Sequence, residues 1–163
     1  MSDKAVIAQY LTFTLADEQY AVNVQYVWKV LEYTQITKVP NTSDFMLGVI
    51  NLHGSVVPVM DLRKKFNLPE KEQTIDTSII AIEIETDDGK LPVAVLADSV
   101  QEVIDLDEQH IEPAPKIGTR VNDDFIEGMG KKDDEFIIIL DIEKVFSIDE
   151  IRQTIDSKEE VKQ

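Results

Sequence analysis

Apolar and polar residues alternate along much of the first half of this chain, a pattern typical of strands with one buried face. Residues 11–15 alternate leucine or phenylalanine with threonine, and residues 20–24 alternate again after a turn at Asp17-Glu18. Further apolar segments follow at residues 27–31 and 36–39, the second of which is ended by Pro40. These segments predict a series of short strands.

A β-hairpin is the strongest local prediction, and it lies within residues 45–66, FMLGVINLHGSVVPVMDLRKKF. Two apolar runs flank His53-Gly54, and glycine suits a turn position that needs a positive φ. Asp61 is placed to cap a short helix in which Leu62 and Phe66 share one face. No residue of the stretch has the setting of a catalytic group, so it indicates a surface that is built for binding.

The second half repeats this style of pattern without repeating the sequence. Apolar alternation predicts further strands at residues 79–84 and 91–95, and the apolar residues Val100, Val103 and Ile104 then lead to a helical turn at residues 107–111. Gly128 and Gly130 predict a tight bend before an apolar strand at residues 136–140. Ser147 and Glu150 have the spacing of a capping box, which predicts a terminal helix.

About eight to ten short strands separated by turn signals predict two small β-barrels. We interpret residues 1–163 as a single domain with two lobes, separated by the polar segment 67–76. The predicted lobes cover residues 9–66 with a C-terminal segment, and residues 77–140. We expect residues 1–8 and 156–163 to be flexible.

Composition narrows the possible functions. The 163 residues include 32 acidic and 16 basic side chains, which give a formal net charge of −16. This acidity argues against nucleic-acid binding, because phosphate contacts need Lys and Arg, and solubility is its simplest explanation. The absence of cysteine excludes disulfides and cysteine-based metal sites. The first residues contain no long apolar run, so we expect no signal peptide, no membrane insertion and a cytoplasmic location.

Candidate catalytic groups are few. His53 and His110 are the only histidines, and neither lies in a metal-binding motif, so no metal or cofactor is predicted. Ser55 and Ser99 lack the context of a nucleophile elbow. Paired acids such as Asp123-Asp124 fit solvated turns better than a calcium loop. The sequence therefore predicts that the protein is not an enzyme.

Six segments, in order, resemble the CheW-like family of chemotaxis coupling proteins. They are YLTFTLADEQYAV (10–22), ITKVP (36–40), GVINLHGSVVPVMDLRKKF (48–66), VLADSVQEV (95–103), IEPAP (111–115) and FIEGMGKKDDEFIIILDIEKVF (125–146). The resemblance implies a mainly β fold of two five-stranded SH3-like barrels that share a hydrophobic core, with short helices and a C-terminal helix. It also implies a non-catalytic scaffold that couples the cytoplasmic tips of methyl-accepting chemotaxis receptors to the histidine kinase CheA.

Family resemblance also assigns candidate contact residues. A receptor-binding groove between the barrels maps to Val27, Lys29, Val30, His53, Ile79, Val100 and Val103. Contacts to the regulatory domain of CheA, and to further copies of the coupling protein in rings beneath the inner membrane, map to Phe45, Leu47, Lys116 and Ile117. Each apolar residue of the groove could instead be an ordinary core residue.

Two positions depart from the family pattern. The family usually has arginine at the position of His53 and glutamate at the position of Lys29. The sign of one charge is therefore reversed, and a permanent charge is lost at the other, because histidine has an unperturbed pKa near 6.5. One explanation of the two changes is drift in a paralogue that keeps its role. The other is a variant coupling protein that is tuned to a different receptor tip, or that fills rings without binding receptors strongly. Because both changes fall in one site, we favour retuning.

Two related architectures are alternatives. A regulatory module of a larger kinase would be accompanied by ATP-binding and phosphotransfer segments, and a coupling protein fused to a receiver would extend well beyond Phe146. We expect neither of them from this sequence.

Overall fold

The computed structural model describes residues 6–40, 43–113 and 123–146, and strands dominate these residues. The strands are β1 (Ile7–Leu15), β2 (Glu18–Asn23), β3 (Val27–Glu32), β4 (Met46–Leu52), β5 (Ser55–Asp61), β6 (Ser78–Thr86), β7 (Gly89–Ala97), β8 (Ser99–Asp107), β9 (Ile126–Lys132) and β10 (Glu135–Leu140). The short helices are α1 (Leu62–Lys65) and α2 (Ile142–Val145), with 3₁₀ turns at Val24–Tyr26, Glu108–His110 and Asp123–Phe125.

These strands form two five-stranded sheets with the same pattern of pairing. Sheet A has the order β8-β1-β2-β10-β9, and sheet B has the order β3-β6-β7-β5-β4. Each sheet is antiparallel except for one parallel pair, β2 with β10 in sheet A and β5 with β7 in sheet B. The chain after β3 pairs back onto β4 through Thr37 and Val49, and the chain after β8 pairs onto β9 through Glu112 and Met129. Both sheets therefore curl towards barrels, which confirms the predicted fold class.

Each half of the chain contributes strands to both sheets. β1 and β2 join β8–β10, while β6 and β7 join β3–β5. The predicted lobe boundary at the 67–76 loop therefore does not coincide with the division between the sheets. The physical reason is that the pairs β1–β8 and β2–β10 join strands far apart in the sequence, and local periodicity carries no signal for such pairing.

Alternation along the strands gives each sheet two apolar faces, so the molecule has three apolar clusters. The shared core lies between the sheets and includes Phe13, Tyr20, Ile80, Ile82 and Phe66. The sheet B cluster includes Val57, Val59, Ile79, Ala81 and Ala94, and the sheet A cluster includes Tyr10, Ala21, Ile104, Ile137 and Ile139. Neighbouring residues of one strand, such as Ile79 and Ile80, thus enter different clusters, as expected for strands buried on both faces.

The two halves are structural repeats, and the segments around the helices correspond residue by residue. Matching positions in the two segments are occupied by the same residue type, namely Phe45 and Phe125, Gly48 and Gly128, Asp61 and Asp141, and Phe66 and Phe146. The backbone bonds correspond as well, since the Asp61 N–H donates to the Phe45 carbonyl and the Asp141 N–H to that of Phe125. The edge strands repeat the pattern, with Val27 and Val30 in β3 at the positions of Val100 and Val103 in β8.

The predicted hairpin and helix cap are confirmed. β4 and β5 pair across His53-Gly54, where both residues have positive φ, as a two-residue hairpin loop requires. The Asp61 carboxylate accepts a hydrogen bond from the Arg63 backbone N–H at 2.9 Å. The terminal helix predicted from Ser147 and Glu150 lies outside the described residues.

Three local predictions need correction. The bend before β10 is made by Asp133 and Asp134, both with positive φ, whereas Gly128 and Gly130 lie inside β9. A Cβ atom on Gly128 would come within 2.8 Å of the Glu112 carbonyl oxygen, so close packing explains this glycine. The predicted strand at residues 36–39 is only a single bridge at Thr37, and Val24 begins a 3₁₀ turn that Asn23 caps rather than continuing β2.

Candidate partner-binding surfaces

The first candidate surface lies on β3, an edge strand of sheet B. A shift of register between Val27 and Lys29 inserts Trp28 as an extra residue opposite β6. Trp28 packs against the sheet B cluster while Val27 packs against the shared core. Lys29 is exposed, and Val30 is 42% exposed, which is unusual for valine in a strand. The bulge therefore anchors the strand from both sides and leaves Lys29 and Val30 facing solvent.

His53, in the β4–β5 turn, extends this surface. The Asn51 side-chain oxygen accepts a hydrogen bond of 3.0 Å from the Gly54 backbone N–H, which fixes the turn. The His53 Nε2 atom lies 3.2 Å from the Lys29 Nζ atom, and its ring centroid lies 6.0 Å from that of Trp28. The two positions that depart from the family pattern are therefore in direct contact. Because β3 and β4 are opposite ends of sheet B, the contact also brings the two ends of the sheet together.

β8 presents the corresponding edge of sheet A. Val100 packs against the shared core, as Val27 does, and Val103 is 52% exposed. Glu102 stands between them at the position that Lys29 occupies in β3, and it forms an ion pair with Lys132. The Glu102 backbone also exchanges hydrogen bonds with the Thr12 hydroxyl. Both edges thus expose one valine beside one charged residue, and the charges have opposite signs.

Ile79 differs from the other residues assigned to the receptor groove. Its side chain is fully buried in the sheet B cluster, beside Ala81 and Ala94. It has no surface to offer a partner, so we do not include it in the candidate surface. Packing on both faces of β6 explains why an isoleucine at this position faces the interior.

Phe45 and Leu47, assigned to kinase or ring contacts, are both half-buried. Phe45 packs against the shared core, and the Lys65 Nζ atom lies 4.9 Å from its ring centroid and 5.2 Å from that of Phe125. Leu47 packs against the sheet B cluster. Both residues therefore combine a structural role with partial exposure. The other two assigned residues, Lys116 and Ile117, lie outside the described residues.

A buried ion-pair network that was not predicted from the sequence joins the two sheets. Arg63 in α1 is 6% exposed and binds Asp61 with two hydrogen bonds of 3.0 Å, from Nε and Nη2. Its Nη1 atom donates to Asp98 at 2.8 Å and to the Lys71 carbonyl at 2.9 Å. Asp98 lies between β7 and β8, and it also accepts from the Ala16 N–H in the β1–β2 turn. A charged residue following the apolar run of β5 is the sequence signal that could have indicated this network.

Opposing effects act on the pKa of Arg63. Burial alone would lower the pKa of its guanidinium, but the hydrogen bonds and negative charge of Asp61, with the charge of Asp98, raise it above the ordinary value. The guanidinium therefore stays charged, and the network keeps its full set of charge-assisted hydrogen bonds.

Acidic side chains gather near α2 and the Val24–Tyr26 turn. Burial, followed by the charges of Asp141 and Glu108, raises the pKa of Glu127 above its ordinary value. Burial and the charges of nearby acids, first Glu143 and then Asp141, likewise raise the pKa of Tyr26. A cavity of about 230 Å³ opens beside Tyr26, with a mostly polar lining that includes Glu83, Glu85 and Glu143. Small-molecule sites are larger and mostly apolar, so this cavity does not resemble one.

No group of three His, Asp or Glu side chains in the described residues is placed to hold a metal ion. Within the same residues, no helix is long and apolar enough to cross a membrane. Two five-stranded, barrel-like sheets around one shared core define a mainly β domain, and each sheet exposes a valine beside a charged residue at one edge.

Comparison with known proteins then identifies the family. The family described as CheW-like domain matches residues 9–150, and the chain belongs to this family. It is 32% identical to the chemotaxis protein CheW of Klebsiella aerogenes over 151 residues, covering 93% of this chain and 89% of that protein. It is 35% identical to CheW of Bacillus subtilis over 135 residues, covering 83% and 84% of the two chains.

A solved structure agrees over the same length. The crystal structure of scaffolding protein TtCheW from Thermoanaerobacter tengcongensis superposes with a TM-score of 0.80 at 34% sequence identity. The match covers 92% of this chain and 94% of that one. The family match, the relatives and the solved structure thus agree on a CheW-like domain over nearly the whole chain.

Proposed function

We propose that this protein is a non-catalytic scaffold that couples the cytoplasmic tips of chemoreceptors to the regulatory domain of the kinase CheA. The observation that carries the proposal is the agreement in fold, over nearly the whole chain, with a protein described as a scaffolding protein. The matched relatives are chemotaxis proteins, which supports a role in the same signalling system. Its place of action would then be the cytoplasmic face of the membrane, in receptor arrays.

The receptor contact is proposed for the exposed edges of the two barrels. Val30 and Val103 offer apolar surface, Val27 and Val100 connect it to the shared core, and Lys29 lies at its rim. Such a surface suits the apolar stripe of a helical hairpin, with charges at the rim setting its register. Kinase and ring contacts are proposed for Phe45 and Leu47, and for Lys116 and Ile117.

The basic test is a binding measurement with two partners. The protein is mixed with the purified CheA regulatory domain and, separately, with purified receptor-tip hairpins, and complexes are detected by size exclusion and calorimetry. Coupling requires both complexes to form. Absence of a complex with the regulatory domain would contradict the scaffold function.

Replacing Ile117 by aspartate tests the proposed kinase contact. We expect affinity for the regulatory domain to fall by about 2 kcal/mol, the size of an interface hot spot, while circular dichroism stays unchanged. Ile75→Asp is the matched control, because Ile75 is 97% exposed and belongs to no proposed surface. Equal affinities for the two variants and the unsubstituted protein would remove Ile117 from the interface.

A second candidate function is a ring-filling paralogue that binds the kinase but engages receptors weakly or with altered specificity. The Lys29–His53 contact favours it, because a cationic side chain and an imidazole replace the usual family pair at one place. The double variant Lys29→Glu with His53→Arg should change the order in which a panel of receptor tips is bound, and leave kinase affinity unaltered, because distant sites act additively. An unchanged ranking would assign the two substitutions to drift.

A further inference from the structure

The surroundings of Lys29 differ from those of four other lysines that form ion pairs with carboxylates. Lys64, Lys71, Lys131 and Lys132 each form an ion pair with a carboxylate. Within the described residues, no carboxylate lies within ion-pair distance of Lys29, and its hydrogen-bond partner is His53. Among the described residues, the Lys29 ammonium group is thus held by an imidazole and not by a carboxylate, in a chain with twice as many acidic as basic side chains.

The contact itself defines which hydrogen-bonding groups remain available. A lysine ammonium can only donate, so the His53 Nε2 atom, 3.2 Å away, must accept. The imidazole is then neutral in this contact and carries its proton on Nδ1, which is a second donor. Two N–H bonds of the ammonium also remain. This surface therefore presents donors from two side chains, a set that an oxygen acceptor with negative charge satisfies best.

Both side chains are held before any partner arrives. Trp28 packs into the sheet B cluster next to Lys29, and its ring lies close to that of His53. The turn that carries His53 is fixed by Asn51 and by its left-handed backbone. Less conformational entropy is lost on binding when the donors are already in position.

The shape of the surface selects a helix over an added strand. The His53 side chain reaches from the β4–β5 turn to β3, and the chain beyond β3 pairs back onto β4. These contacts cover the side of sheet B where a further strand would have to pair. What remains exposed is a set of side chains, Lys29 and Val30 with His53, which suits a helix that presents apolar residues and one polar group.

We propose that the helical partner bound at this surface carries a glutamate or aspartate whose carboxylate pairs with Lys29 and accepts a second hydrogen bond from His53. The proposal rests on the proposed receptor contact and specifies its chemistry. It predicts that the charge of a single partner residue matters at this place, and that its sign is negative.

The test is a double-mutant cycle with charge reversal. Receptor-tip hairpins are prepared with each glutamate or aspartate changed singly to its amide, and are titrated into the unsubstituted protein and into Lys29→Met. One amide substitution should weaken binding about two- to fivefold for the unsubstituted protein, the range of exposed ion pairs, and have no effect on Lys29→Met. Lys131→Met is the control, since Lys131 pairs with Asp134 at the β9–β10 turn, and it should behave as the unsubstituted protein.

Charge reversal makes the sign testable. Lys29→Glu should bind the native tip more weakly than Lys29→Met does, and should regain affinity when the identified tip acid is changed to lysine. If every amide substitution acts additively with Lys29→Met, the proposed pair does not exist, although receptor coupling itself would stand. If no tip binds while the kinase regulatory domain does, the receptor contact and this inference fall together.

Discussion

Replacing Arg63 by leucine removes the buried cation that connects the two sheets. Leucine fills most of the aliphatic volume of the arginine but leaves Asp61, which is 1% exposed, and Asp98 without their counter-ion. Four side-chain hydrogen bonds are lost, to Asp61 twice, to Asp98 and to the Lys71 carbonyl. The cap of α1 is kept, because it uses the backbone N–H of residue 63.

The expected loss follows from this geometry. Removing one partner of a buried ion pair costs about 3–5 kcal/mol, mainly because the remaining charge is buried without compensation. For a chain of this size the melting temperature should fall by roughly 6–20 °C, at about 2–4 °C for each kcal/mol. Urea unfolding followed through Trp28, the single tryptophan, measures the change in free energy directly.

Lys64→Leu is the matched control in the same helix. Lys64 is exposed, and its Nζ atom lies 3.9 Å from a Glu70 carboxylate oxygen, so its loss should cost less than about 1 kcal/mol. Adding Asp98→Asn to Arg63→Leu should recover part of the loss, because a buried charge is removed with its partner. If Arg63→Leu is no less stable than Lys64→Leu, the network does not hold the sheets together.

Two further predictions concern Glu127 and Gly48. Burial and nearby acids raise the pKa of Glu127, which stabilises its protonated form, so this contribution is present at low pH and is lost as the pH rises through the raised value. Glu127→Gln should therefore increase stability at pH 7, by no more than about 1 kcal/mol because the carboxylate is only partly shielded from solvent. The gain should fade as the pH falls through the raised pKa and be absent below the ordinary value of 4.5. Glu72→Gln in the exposed loop should show no gain in urea unfolding. Gly48→Ala would place a Cβ atom 2.0 Å from the Thr37 carbonyl oxygen and should lower the free energy of unfolding by at least about 1–3 kcal/mol. Gly54→Ala is the control, because its Cβ atom meets no atom within 4 Å and its only cost should be the backbone strain of a positive φ. Equal losses of stability by thermal unfolding would refute the packing argument.

Local structure was predictable wherever a short stretch determines its own conformation. The β4–β5 hairpin follows from apolar runs on both sides of a residue pair that tolerates positive φ, and α1 follows from a capping aspartate. The bend predicted at Gly128 and Gly130 was wrong, because these glycines are required by packing against Ile111, Glu112 and Leu106 and not by a turn. Glycine is required both in turns with positive φ and where another segment packs closely against the backbone, and only the structure distinguishes the two cases.

Pairing between distant segments was not predictable from periodicity. β2 and β10 lie side by side although most of the chain separates them, and the apolar pattern of each strand would suit many partners. The sequence does contain a signal of two equivalent halves, because Phe45 matches Phe125 and Asp61 matches Asp141. A repeat of this kind does not reveal, however, that each half contributes strands to both sheets. This arrangement is visible only in three dimensions, where strands from both halves of the chain pair in each sheet and contribute to the shared core.

The same repeat clarifies which part of the candidate site was predictable. Family resemblance placed Lys29 and His53 in one groove, and the structure puts their nitrogen atoms 3.2 Å apart. At the equivalent position of the other half, Glu102 is paired within the chain by Lys132. Equivalent positions in β3 and β8 therefore carry charged residues with different partners, an imidazole for Lys29 and a lysine for Glu102. No local pattern in the sequence indicates this difference. Glu102 already forms an ion pair with Lys132, whereas Lys29 contacts an uncharged imidazole. For this reason we propose a carboxylate of the partner for Lys29, and no cation of the partner for Glu102.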